Sequence, residues 1–471
     1  MCNIEKRVLG KLYEILATLN YNRERREVME RVLERFLVTL NPNLDIRKEA
    51  KVVLDSYEGL NYAKDDITKT VNKILFGQKS VLLSNIPTHL VEEYIVGKFS
   101  SFEKYFERTY SFDMYSPLLF AFVLNEYIEF KKRLLNFSDA SAFKSTEEYI
   151  DIGYVSIPSK KYIEKWRNIS TLSESEIRRI TPLCKSDMDK VIELLSIDIN
   201  DLGVRKEYNL HIKPLLKVGD TLILLAPYYI IKGLPSIYEL LFRGVKKYRE
   251  KKGKYFEKLS QDTIKHLPFE LLAYNVKYSG GETDAILRFR DSVWFVEVRS
   301  HPPSEKALKG DWKAIEKDLN RTIKKCISQG EKCLKNLDKE PLKTFSRSAK
   351  TKGIIVILDG VYPQLNPNIV FTFHKKDFPV YIINWFDLRV LMEQPEVEHF
   401  EEFLLWRKKK PMPIICLDEK DYWAFYFDRY KSGQMKQVFR HLQKNQNPIF
   451  YISRRFNSKE YLRDLVKGQP Y

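Results

Sequence analysis

Apolar positions along this chain change period about halfway. Through the first half they recur every three to four residues, the spacing of an amphipathic helix. Ile4, Val8, Leu12, Ile15 and Leu19 share one face, as do Val28, Val32, Leu33, Phe36 and Leu37. The same spacing predicts helices near residues 66–75, 89–105 and 117–135. Residues 110–127 are dense in aromatics, with Tyr110, Phe112, Tyr115, Phe120, Phe122 and Tyr127. An aromatic stripe at helical spacing is read as core. Residues 1–205 are therefore expected to form a helical domain, folded separately, in which no catalytic motif stands out.

Beyond Arg205 shorter patterns take over. Residues 220–225 read as a strand that stops near Pro227. Residues 236–258 read as one long helix or two, with Ile237, Leu240, Leu241, Val245, Tyr248 and Phe256 turned inward. Its other side is basic: Arg243, Lys246, Lys247, Arg249, Lys251, Lys252 and Lys254. A long polar helix is expected over 314–334, carrying Lys317, Arg321, Lys324, Lys325 and Gln329. The wholly apolar runs 353–358 and 378–383 suit buried strands, and a helix resumes over 385–392. This order is that of an α/β unit with a mixed sheet, over 206–405. Residues 406–471 are expected to form a small mixed extension.

Chemistry concentrates between Gly281 and Ser300. The stretch reads as two strands around a turn at Arg290-Asp291, with Gly280-Gly281 as a turn signal before it. Because strand side chains repeat every two residues, Glu282 and Asp284 share a face of the first strand. Glu297 and Arg299 share a face of the second. A turn centred between Arg290 and Asp291 sets Asp284 opposite Glu297, about 4.5–5.5 Å apart at Cβ. The second strand is otherwise Val293, Trp294, Phe295, Val296 and Val298. Two acids so close on a buried strand repel unless a cation lies between them. The bland alternative is a structural ion pair between Glu297 and Arg299.

This constellation resembles the PD-(D/E)xK, or restriction-endonuclease-like, nuclease superfamily. Asp284 matches its Asp and Glu297 its second acid, while Arg299 stands where the family usually has Lys and Thr283 where it often has Pro. Glu257 looks like the Glu many members carry on the preceding helix, and Gln329 like a glutamine placed near phosphate. The resemblance covers about 150–200 residues. It implies a metal-dependent nuclease in which Asp284 and Glu297 hold Mg²⁺ or Mn²⁺, joined by a backbone carbonyl. Arginine stabilises developing charge but is never deprotonated in proteins, so Arg299 is excluded as a base. The alternative from another class is a nuclease-fold protein that binds nucleic acid or serves in assembly without cutting.

Charge changes the picture only modestly. The 471 residues carry a formal charge of +17, which favours a polyanionic partner, nucleic acid ahead of an anionic surface; within the nuclease reading DNA is the preferred one. Arg243, Lys246, Lys247, Lys251, Lys252, Lys324 and Gln329 are the candidate nucleic-acid contacts. The start of the chain lacks the apolar region of a signal peptide. Five scattered cysteines form neither a disulfide framework nor a zinc pattern, so a reduced, cytoplasmic protein is expected. A homo-oligomer or a protein partner on the helical half is left open. His301 lies two residues past Arg299 and is set aside as incidental.

Overall fold

The computed structural model describes residues 3–22, 26–58, 86–137, 155–203, 209–210, 212–227, 229–302, 304–308, 312–346, 349–360 and 378–409, together with Glu419, Trp423, Tyr426 and Phe427. The helix expected over 66–75 lies outside these residues, as does most of the extension after 409. The fold is α/β, with a helical N-terminal region and a five-stranded mixed sheet in the C-terminal half.

The helical pattern is correct for Asn3–Tyr21, Arg26–Thr39, Thr88–Phe99, Glu103–Tyr110 and Ser116–Leu134. It also hides two short strands. β1 (Thr171–Ser173) and β2 (Ser196–Asp198) join β3 (Leu215–Val218) and β4 (Thr221–Leu224) in a small sheet of order β1-β4-β3-β2. Position 205 thus lies between two paired strands, since β2 runs parallel to β3. Three-residue strands cannot show a period, which is why the sequence reads as helix throughout.

The larger sheet is β5 (Glu270–Tyr278), β6 (Gly281–Phe289), β7 (Ser292–Arg299), β8 (Thr351–Leu358) and β9 (Val380–Asn384), in that spatial order. The first three form an antiparallel meander, and β8 and β9 continue parallel to β7. Strand β5 has no counterpart in the sequence reading. Its register shifts between Leu271 and Ala273, and Asn275 is left-handed at φ 50°. Those irregularities break the period-two pattern that marks a strand.

Both faces of the sheet are covered. Ala285, Leu287, Trp294, Val296, Val298, Ile355 and Ile357 pack into a core that also holds Val8, Phe36, Tyr94, Phe256 and Trp385. The helical half and the sheet thereby share one continuous core. On the opposite face Ile286, Val293 and Phe295 pack with Cys333, while Ile354 and Val356 pack with Ile315, Leu319, Ile323 and Cys326. Burial on both faces explains the near-continuous apolar runs of β7 and β8.

Two expected helices differ in detail. The 236–258 segment is two helices, Leu234–Phe242 and Lys246–Ile264, broken at Arg243–Val245. The long polar helix is Trp312–Leu319 and Lys325–Lys335 joined by a π-helical turn, Asn320–Lys324, and it carries a buried apolar stripe. Gly330 brings this helix tightly onto β8, where a Cβ would run into the Ile354 side chain.

Candidate active site

The hairpin turns at Arg290-Asp291 as the alternation implies, with Phe289 paired to Ser292 and Ala285 to Val296. Continuing that register by one residue sets Asp284 against Glu297, where the backbone ladder ends. The side chains take over there. Asp284 Oδ2 accepts the Val298 N–H at 2.6 Å, and Thr283 Oγ1 donates to the Val296 carbonyl at 3.2 Å. Asp284 therefore replaces a backbone acceptor at the point where β6 and β7 part, beside the carboxyl ends of the parallel strands. Ligands in open α/β sheets gather at such ends.

Glu297 is 1% exposed, and its Oε1 is buried with no hydrogen-bond partner. Burial, reinforced by the Asp284 charge, pushes its carboxyl up to about 8, against the opposing pull of Arg299. Burial also raises Asp284, with Glu282 adding to it, while the Val298 N–H and Arg299 work the other way. Glu257, on the helix packed against the opposite face, is raised by burial and by Asp284 and Glu282. Its Oε1 accepts from Gln261 Nε2 at 3.3 Å. Four carboxyl groups, Glu257, Glu282, Asp284 and Glu297, therefore act on one another at this end of the sheet. Glu282 is the member absent from the sequence candidates. Its shared face with Asp284 is the signal that could have added it.

Arg299 is the cation of the group. Its Nη2 lies 3.5 Å from Glu297 Oε2, its Nη1 donates to the Val298 carbonyl at 3.2 Å, and Nη2 donates to Gln329 Oε1. The Gln329 carbonyl in turn accepts from Tyr278 O–H at 3.0 Å. Gln329 thus grips the arginine directly. Among the described residues no group of three or more His, Cys, Asp or Glu side chains is placed to hold a metal ion. The oxygen donors at hand are Asp284, Glu297 and the Val298 carbonyl. They suit a hard cation by chemistry, and the unpartnered Glu297 Oε1 is the atom such a cation would satisfy.

The basic candidates divide by exposure. Arg243, Lys246, Lys247, Lys251 and Lys324 are exposed, whereas Lys252 is half-buried on the inward stripe of its helix with Tyr248 and Phe256.

Sequence reasoning missed a second polar cluster just beyond the site. Lys98 Nζ is fully buried and donates to Asp359 Oδ2 at 2.6 Å, to Tyr94 Oη at 2.7 Å and to Glu239. Tyr94 donates to Asp359, and Tyr248 donates to Glu239 at 2.6 Å. Asp359 also accepts from Ser300 Oγ at 2.7 Å, and its N–H donates to the Arg299 carbonyl at 3.0 Å. Burial favours the neutral forms here, but Lys98 holds Asp359 below the usual carboxylate range. Asp359 and Glu239 in turn hold Lys98 above its ordinary value. The available signal was an acid directly after the apolar run of β8.

Among the described residues no helix is long and apolar enough to cross a membrane. A UPF0102 protein of Kosmotoga olearia is 42% identical to this chain over 53 residues. The match takes in 11% of this chain and 46% of that protein, so it spans about half the relative's length. No protein-family profile and no solved structure matches the chain.

Proposed function

We propose that the chain is a metal-dependent nuclease of the restriction-endonuclease-like class, acting on DNA by preference. The observation that carries this reading is the pairing of Asp284 with a buried Glu297 whose Oε1 lacks a partner, at the end of a meander that continues into parallel strands. The short likeness to a UPF0102 protein, of a family related to that fold, points the same way.

Asp284, Glu297 and the Val298 carbonyl would hold Mg²⁺ or Mn²⁺. The cation supplies polarisation of a phosphoryl oxygen and a bound water of lowered pKa. Asp284 is oriented for this by the Val298 N–H, which occupies Oδ2 and leaves Oδ1 free to bind. Glu257, its carboxyl raised by burial and by Asp284, would exchange a proton with water. Arg299 stabilises charge on the phosphate and, being permanently protonated, takes no proton. Gln329 keeps the guanidinium on the site side of β7.

A second reading has its own observation. Arg299 already occupies the Val298 carbonyl and lies beside Glu297 Oε2, two of the oxygens a cation needs. A protein that binds nucleic acid without cutting it would keep this arrangement. Calorimetric titration with Mg²⁺ and Mn²⁺, together with cleavage assays on DNA and RNA, separates the two. The nuclease reading expects metal binding and cleavage in the wild type, both lost in Asp284→Ala. It expects Arg299→Lys to retain or gain activity. An inert wild type with an active Arg299→Lys supports the second reading. Inertness of both, with no metal bound, refutes the site.

A further inference from the structure

We propose that Gln261 and Asn275 are positioning residues for Glu257, the bent edge strand β5 aiming the Gln261 amide at that carboxyl. The inference deepens the nuclease reading and rests on it for the task of Glu257.

The bend comes first. In a regular strand Tyr274, Val276 and Tyr278 would share one face. Tyr274 instead packs into the core that holds Phe256 and Leu259 of the helix Lys246–Ile264, while Val276 and Tyr278 pack on the opposite face with Cys333. The reversal falls at Asn275, whose φ of 50° is left-handed. Asparagine is one of the few side chains that tolerates that region. Irregularities of this kind beside active sites re-aim side chains.

One edge strand thereby braces both helices that flank the sheet. Tyr274 Oη donates to the Gln261 carbonyl at 2.9 Å. Tyr278 Oη donates to the Gln329 carbonyl at 3.0 Å, on the helix Lys325–Lys335. Each braced residue is a glutamine whose side chain holds a member of the site. Gln329 Oε1 accepts from Arg299. Gln261 Nε2 carries two N–H groups, one donating to Glu257 Oε1 at 3.3 Å and the other to Asn275 Oδ1 at 3.4 Å.

A Glu–Gln pair four residues apart on a helix is by itself an ordinary local contact. Here the glutamine is also held from outside its helix, at its carbonyl by Tyr274 and at its amide by Asn275. Asn275 is exposed and both amide bonds are longer than usual, so they add little to stability. What they fix is direction. Glu257 is acted on by Asp284, Glu282, Lys254 and Arg299, but among the described residues Gln261 is the one side chain that hydrogen-bonds to it. A flipped Gln261 amide would set oxygen against the carboxylate, so the arrangement admits one orientation, with the donor toward Glu257.

The test follows the Glu257 carboxyl by NMR on the full chain with labelled glutamate side chains, free of metal, with Glu257→Gln identifying the signal. Gln261→Met keeps the length of the side chain and removes both hydrogen bonds. Its Glu257 should titrate higher than in wild type, because a donor to the ionised carboxylate favours that form. Asn275→Val, which resists the left-handed backbone, should shift it in the same direction and add nothing to Gln261→Met. Should Asn275→Val fail to fold, Tyr274→Phe loosens the same brace and should also raise the midpoint. Tyr278→Phe, on the other helix, should leave it in place. An unmoved midpoint in Gln261→Met would overturn the proposal whether or not the chain cuts nucleic acid. So would a shift in Tyr278→Phe as large as that in Tyr274→Phe, which marks general loosening. With an active wild type, Gln261→Met should lower kcat about ten-fold at unchanged KM, short of the roughly hundred-fold loss expected from removing a proton carrier. An unchanged kcat there would also overturn the proposal. The expected midpoints with no cleavage by wild type would sink the nuclease reading alone.

Discussion

Replacing Glu297 by glutamine should stabilise the metal-free protein, and by an amount that grows with pH. In the folded chain burial and the Asp284 charge push the Glu297 carboxyl up to about 8 from an ordinary value of 4.5. In the unfolded chain it titrates near that ordinary value. Between those two pKa values the folded state binds the extra proton, so stability falls as pH rises. The favourable contribution is fully present below about 4.5 and is lost as pH climbs through about 8. At 1.36 kcal/mol per pH unit, the penalty grows by roughly 3 kcal/mol between pH 5.5 and 8, then levels off. Glutamine fills the same space without ionising. Urea unfolding of wild type and Glu297→Gln across pH 5.5–9 measures the difference, and subtracting the two curves removes the other titrating groups. Saturating Mg²⁺ should reverse the order, because it rewards the ionised carboxylate of the wild type and has less to bind in the amide. A stability difference that stays flat with pH would refute the buried, poorly satisfied carboxyl on which the site assignment rests.

Lys98→Met should cost about 3–5 kcal/mol in urea unfolding, the usual penalty for stranding a buried charge, and adding Asp359→Asn should recover much of it. A loss below about 1 kcal/mol would mean that the cluster is already relaxed by water. Changing Lys246, Lys247, Lys251 and Lys252 together to Glu should weaken DNA binding at low salt and flatten its salt dependence. An unchanged filter-binding curve would remove that helix from the interface. Limited proteolysis tests the expected division near residue 205. Release of a stable 1–205 piece would support separate folding, and survival of one species is the outcome favoured by the β2–β3 pairing and the shared core.

The hairpin was legible because two local signals agree. A two-residue turn at Arg290-Asp291 and unbroken alternation on both sides leave one register, and a slip by one residue would bury Arg288 and expose Leu287. The runs that became β8 and β9 were legible for a different reason, since strands covered on both faces are apolar throughout. Legibility failed where the backbone departs from its period. The bulge at Leu271/Ala273 and the left-handed Asn275 hide β5, and β1 and β2 are too short to show alternation. Glu282 was visible on the face of Asp284 but carried no motif. Lys98 and Asp359 stand 261 residues apart, and nothing local in a helix reading Glu92, Glu93, Tyr94 marks its later lysine as buried.

That distant pair bears on what the helical half contributes. The carboxyl end of β7 holds Glu297, Arg299 and Ser300 just where backbone pairing with β6 has stopped. On that side the Asp284 carboxylate and the Thr283 hydroxyl hold the strand. On the other side Asp359 ties it down twice, through the Arg299 carbonyl and the Ser300 hydroxyl. Asp359 is fully buried, and against that burial Lys98, helped by Tyr94 and Ser300, holds its carboxyl below the usual range; Lys98 and Tyr94 both come from the helix Thr88–Phe99. The floor of the site is therefore built from both halves of the chain. A fragment starting after residue 205 would leave Asp359 buried without its cation, or force it to take a proton and lose charge toward Ser300. Adding such a fragment to nucleic acid and metal is then a sharp comparison with the full chain. Equal metal affinity in the two would show that β7 holds its own end, and a loss of affinity confined to the fragment would assign the helical half a part in shaping the site.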